Sequence, residues 1–218
     1  MTPAERKERS EKIIAAKGIG INPNLPLTEP ASQVKLRSLD DICKRAIAAL
    51  LSTQVGFGRS EQNDEDVNYF AGLMDYFGVR DCLNAKERRL VDGSYVQQDI
   101  IDVVWEYESY WTLVWALGLV DDITDAEDIC DCPQAVRFVS QSESYDDFKS
   151  RCSLRSADEI LDMLDLYYRY HWAVVQHEKT DKKCPIGGLN TDAVSERRRG
   201  LEWLISDTDD WNRISLDT

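Results

Sequence analysis

The stretch SYVQQDIIDVVWEYESYWTLVWALG, Ser94–Gly118, decides the fold. Its first half carries Asp99, Asp102 and Glu106 as one polar stripe at helical spacing, and its second half is apolar nearly all round. A helix with that pattern is half surface and half interior, so its C-terminal end must be enclosed by other helices. Ser94 with Gln97 reads as a capping box and Gly118 as the stop, which makes a helix that is long for a globular protein.

Working outward, the flanking segments repeat the helical signal. Residues 4–16 form a first helix, and KGIGINPNLPLTEP, rich in Gly and Pro, forms an arm or lid. Ser38 with Asp41 caps an amphipathic segment whose stripe is Leu39, Ile42, Cys43, Ala46, Ile47 and Leu50. DEDVNYFAGLMDYFG carries Val67, Phe70, Ala71, Met74 and Phe77 on one face before Gly78, and Asn84 with Glu87 opens a short helix before Gly93. The acidic region 121–150 reads as short helices and turns, with Pro133 near a helix start. Ser156 with Glu159 begins a second long helix, and Asn190 or Thr191 caps DAVSERRRGLEWLI. Nothing alternates like a strand and no Asn-Gly hairpin signal occurs. The expected architecture is all-α, a single-domain bundle of about seven to nine helices centred on helices 95–117 and 157–178. Within the single domain 1–218, residues 1–37 form the N-terminal helix and arm, 38–206 the helical core, and 207–218 a tail.

Composition narrows function by exclusion. The 218 residues carry a formal charge of −14, with 43% hydrophobic and 30% charged residues, as expected of a globular chain with a real core. Six tryptophans require an interior or an interface. The net charge repels nucleic acid and anionic lipid, so neither is an expected partner, and a basic protein is the kind of partner the acidic surface would suit. DDITDAEDICD concentrates acid without one base and reads as a solvated loop. The N-terminus lacks an apolar signal region, and YWTLVWALGLV is about half the ~20 residues that span a bilayer, so a soluble cytoplasmic protein is expected. Six cysteines without an export signal are expected to be reduced, and Cys130 and Cys132, at C-x-C spacing, do not match a zinc site.

The candidate site residues lie where charge meets apolar surroundings. On the second long helix Asp158, Asp162, Asp165, Arg169 and Gln176 fall within an arc of roughly 60°, while His171 points the other way among Ile160, Leu164, Tyr167, Val174 and Val175. Asp165 and Arg169 form an i, i+4 pair, and the stripe reads as a solvated or salt-bridged structural stripe, or as a polar groove. Glu108 shares a face with Ile101, Val104 and Trp115, and Arg197 lies among Val194, Leu201 and Leu204. An unpaired buried charge costs several kcal/mol, so Arg197 is expected to pair with Glu108, or with Asp162 or Asp165. Glu159 and Glu196 complete the candidate network or pocket.

The ordered phrases LRSLDDICKRA, YWTLVWALG, LRSADEILDMLDLYYRYHWA, VSERRRGLEWL and DDWNRISLDT resemble the signature segments of the DUF4272 family, over Lys17 to Thr218. The family pattern matches Arg37, Ser38, Arg45, Glu108, the run Trp115 to Gly118, and Glu159, Asp162, Asp165 and Arg169. It continues through His171, Trp172, Glu196, Arg197 and Trp203. The resemblance implies an uncharacterised family, so it transfers neither catalytic residues nor a cofactor. The chain departs from the pattern at RRRG, where a His and an Ala are expected near Arg198 and Gly200, and the departure is expected to loosen one helix contact.

There is no G-x-S-x-G, Walker A loop, HExxH or Rossmann glycine pattern, and no cofactor is expected. The favoured reading is a non-catalytic helical protein that binds another protein. The alternative is a divalent-metal-dependent hydrolase of a phosphorylated small molecule, with Asp99, Asp102 and Glu106 facing Asp162 and Asp165 across two adjacent helices.

Overall fold

A computed structural model describes residues 1–208 and 211–218, the side chain of Asn212 apart; Asp209 and Asp210, which open the phrase DDWNRISLDT, lie outside the described residues. Among the described residues there are nine α-helices and no strand. They are α1 (Pro3–Ala16), α2 (Leu39–Glu61), α3 (Asp64–Tyr76), α4 (Ala85–Asp92), α5 (Gln97–Ala116), α6 (Cys132–Ser140), α7 (Tyr145–Ser150), α8 (Ala157–Lys179) and α9 (Thr191–Ile205). Among the described residues no helix is long and apolar enough to cross a membrane.

Most helix starts follow from local chemistry. Thr2, Ser38, Asn63, Asn84, Ser156 and Asn190 each accept a hydrogen bond from a first-turn N–H of the helix they precede, which satisfies one of its orphan donors. The expected Ser94–Gln97 box does not form. Ser94 N–H instead donates to Arg89 O (3.0 Å) to close α4, and α5 begins at Gln97, where Asp99 accepts the Val96 N–H at 3.1 Å. Arg89 fixes Asp99 for that role.

Helix α5 is the hub, packing most extensively against α2 and then α9; α8 in turn packs on α9 and α1, and α3 on α2. Every residue of α5 from Glu106 to Ala116 is buried, as its apolar second half requires. Helix α2 runs on through Gly56 and Gly58 to Glu61 and is as long as α8, 23 residues each. Four tryptophans, Trp111, Trp115, Trp203 and Trp211, are core residues.

The arm and the C-terminal tail are both tied to the bundle. In the arm, Ile19 and Leu25 are buried, Gly20 N–H donates to Pro185 O (2.7 Å), and Arg37 N–H donates to Leu204 O (3.0 Å). The C-terminal tail tucks Trp211 and Ile214 into the bundle. The expectation of a loosened contact at Gly200 is reversed. A Cβ on Gly200 would lie 1.9 Å from Thr112 Oγ1 and 2.8 Å from Ser109 O, so the glycine is what lets α9 approach α5 this closely.

Candidate functional site

The charges that interrupt the apolar patterns form three structural networks. In the first, Arg197 on α9 reaches Glu108 on α5, Nε to Oε2, at 2.7 Å, and both side chains are buried. The guanidinium also donates to Tyr167 on α8 (3.2 Å) and to the carbonyls of Asp125 and Asp128 (3.0 Å for Asp128). Glu108 Oε1 accepts the Cys130 N–H at 2.8 Å, and Tyr167 donates to Ile123 O at 2.6 Å. The acidic loop 121–131 is thus stapled by its backbone, while its six acid side chains stay exposed. The Arg197–Glu108 pair joins three helices to a loop that has no secondary structure of its own.

The second network covers the α8 stripe. Arg6 of α1, fully buried, donates to Asp162 (2.8 Å) and Asp158 (3.2 Å), and Arg9 donates to Asp162 (2.9 Å). Asp165 takes both arms of Arg169 at 2.9 Å, with Glu11 3.7 Å from the same guanidinium. The stripe is therefore salt-bridged: α1 lies on it, with Arg6 and Arg9 pairing with Asp158 and Asp162, while Arg169 of α8 itself pairs with Asp165. Asp162 also lines a small cavity of about 200 Å³ with Arg9 and Glu159. Glu159 stays at the helix end, capping Ser156 and pairing with Arg155 at 3.2 Å.

The third network holds the tail. His171 Nδ1 lies 2.7 Å from Arg198, which donates to Leu216 O (2.9 Å) and Asp217 O (3.0 Å) and pairs with Glu202. A guanidinium has no acceptor, so His171 is neutral with its lone pair at Nδ1. Burial, and then the Arg198 charge, hold its pKa down to about 4.

The stripes of the metal-dependent reading are not brought together. Asp99 is held by Arg89 (2.9 Å), and Asp102 by Lys86 (2.5 Å) and Gln98 (2.7 Å), whereas Asp162 and Asp165 sit under α1 with their own arginines. Among the described residues no group of three or more His, Cys, Asp or Glu is placed to hold a metal ion. The six cysteines are free thiols, with Cys130 and Cys132 Sγ atoms 4.0 Å apart.

Two further concave surfaces among the described residues are of ligand size. One is an apolar groove of about 390 Å³ between α2, α3 and α6, with Leu50, Leu51, Phe70, Leu73, Val136 and Val139 along its floor and sides. Tyr69 and Tyr76, 62% and 65% exposed, stand at it as large aromatic side chains in solvent. Exposed acids flank it: Asp66 one turn before Tyr69 and Phe70, and Glu143, whose carbonyl accepts the Tyr76 hydroxyl at 2.5 Å. Two exposed bases are also near it, Arg137 of α6 and Arg151, which donates to Ser142 Oγ at the groove.

The other is a polar cleft of about 410 Å³ where α5, α9, Lys86 and Trp211 meet. Glu106 and Glu196 line it, with Trp105. Behind Glu106, buried Arg45 binds buried Glu87 through both nitrogens of its fork and Glu106 at 3.3 Å, and Asn84 donates to Glu106 at 2.9 Å. Burial, and then the Glu87 charge, push the Glu106 carboxyl well above the usual carboxylate range. Glu196 accepts from Ser109 (2.9 Å) and Arg199 (3.2 Å). Sequence reasoning named Glu106 and Glu196 but missed Arg45 as a partner, Glu87 and Arg6. Arg6 sits in a segment that is charged up to Lys12, where the available signal was its i, i+4, i+8 alignment with Ser10 and Ile14, whereas Arg45 lies beside the apolar stripe of α2 and Glu87 reads only as a capping residue.

No curated protein and no solved structure matches the chain. The model of the family described as domain of unknown function DUF4272 matches residues 6–214, and the chain belongs to that family.

Proposed function

We propose that this protein is a non-catalytic binding module that takes the apolar face of a basic amphipathic helix from a partner protein into the groove between α2, α3 and α6. The observation that carries the reading is the pair of tyrosines, Tyr69 and Tyr76, held in solvent beside a continuous apolar floor. Exposed aromatic patches of this kind mark contact surfaces, and a groove between helices accepts an amphipathic helix through residues at i, i+3, i+4 and i+7. Charge complementarity selects the occupant. Asp66 and Glu143 flank the groove, and the net charge of −14 steers a basic segment towards it. The carboxylates Glu108, Asp162 and Asp165 support a non-catalytic role, because each has its oxygens taken by arginine or backbone donors.

The test is fluorescence anisotropy with two labelled model helices of identical Leu pattern, one carrying Lys and the other Glu on its polar face. The Lys helix binds and the Glu helix does not, and the combined substitution Tyr69→Ala, Leu73→Ala weakens binding at least about tenfold. Equal binding of both helices, or binding indifferent to those substitutions, contradicts the proposal.

A further inference from the structure

The cleft beside α5 and α9 lies away from the apolar groove and has the opposite chemistry. Its volume of about 410 Å³ is within the range of small-molecule sites. Glu87, Glu106 and Arg45 behind it are all at least nine-tenths buried, and they comprise two carboxylates on one guanidinium. When both carboxylates are ionised, one negative charge in that cluster has no buried counter-ion. A buried charge in that position is stabilised by a proton or by a cation brought to its open side. The open side of Glu106 is the cleft, where Glu196 adds a second carboxylate. The bases already there are committed, Lys86 to Asp102 at 2.5 Å and Arg199 to Glu196 at 3.2 Å.

The remaining wall is aromatic. Trp105 and Trp211 line the cleft, and an indole face attracts a cation that has shed its water. Trp211 makes such a contact on the network side, where the Arg45 guanidinium lies 4.9 Å from its ring centroid. A second, independent feature is the Trp211 indole N–H, a donor on a cleft-lining side chain only 1% exposed that has no hydrogen-bond acceptor among the described residues. Buried donors of this kind are rarely left unmatched, and an oxygen carried by a ligand is a suitable partner.

The geometry points to a binding site in this cleft for a small aliphatic amine that also carries a hydroxyl or carbonyl oxygen, its ammonium group held by Glu106 and Glu196 and its chain lying on Trp105. The ligand supplies the missing positive charge and the missing acceptor together. It is independent of helix binding at the groove, so either reading can fail alone.

The probes are aminobutanol, butanediol of the same length without charge, and a short Lys-containing peptide, titrated against the full chain by tryptophan fluorescence and calorimetry. Aminobutanol gives a saturable response with a Kd of about 1 mM or better, and butanediol gives none. Glu106→Gln and Trp105→Leu each weaken it at least about tenfold, whereas Tyr69→Ala at the groove leaves it unchanged. Should Glu106→Gln fail to fold, Glu196→Gln, at a side chain 16% exposed against the nearly buried Glu106, carries the charge test. The proposal is overturned by the absence of a saturable aminobutanol response, by equal responses to the amine and the diol, by a response that survives both Glu196→Gln and Trp105→Leu, or by binding of the peptide alone.

Discussion

Arg197 shows how a single side chain can be legible while its purpose is not. Its place among Val194, Leu201 and Leu204 predicts a buried cation with a carboxylate partner, and Glu108 is that partner. The carbonyls of Asp125 and Asp128 that it also binds leave no trace in the sequence, because any residue offers the same backbone oxygen. Removing one side of a buried pair strands the other, so Arg197→Ala costs about 3–5 kcal/mol in urea unfolding and Glu108→Gln less, since the amide keeps an acceptor. Limited proteolysis of Arg197→Ala cuts first in 121–131, the loop the arginine staples. Gly200→Ala places a methyl 1.9 Å from Thr112 Oγ1 and costs about 1–3 kcal/mol by the same assay.

His171 makes stability depend on pH with a definite sign. Its pKa is held down to about 4 by burial and then by Arg198, so the folded state disfavours the protonated ring. That stability is present above the unfolded value of about 6.5 and is lost as pH falls towards 4, by up to about 3 kcal/mol. His171→Gln removes this component, so the acid side of its stability–pH curve is flatter than that of the wild type. Glu106 acts in the opposite sense. Its carboxyl is raised by burial and by Glu87, so its contribution is lost as pH rises above the ordinary carboxylate value.

At the scale of helices, caps and periodicity located most elements because they are local. Ser156 with Glu159 and Asn84 with Glu87 form the boxes their spacing predicts. The start of α5 escaped that reasoning, because Arg89, on a different helix, fixes Asp99 to cap Val96. The stripe on α8 was legible as a stripe, but its cover was not. PAERKERSEK reads as a solvated helix, and only packing reveals that Arg6 is buried between Asp158 and Asp162. Two arginines of α1 on the same carboxylate therefore differ in worth. Arg6→Ala costs about 3 kcal/mol and releases α1 to proteases. Arg9→Ala, at a side chain 56% exposed, costs less than about 1 kcal/mol.

At the scale of the molecule, the acid excess is divided between two uses. The buried acids are bonded to arginines, Glu87 and Glu106 sharing Arg45, and hold helices and loops in place, while the exposed ones give the long-range field. The sequence shows the total charge but not this partition, which depends on which helix covers which stripe. Raising ionic strength weakens capture of the Lys helix, because screening acts on the exposed acids, and leaves the melting temperature nearly unchanged, because the buried pairs are shielded. Hydrogen–deuterium exchange of the full chain with and without the Lys helix tests the binding surface itself. Protection confined to α3 and α6, residues 64–76 and 132–140, is the predicted result. Protection at α5 and α9 with none at α3 and α6, or no protection at a saturating concentration, would contradict it.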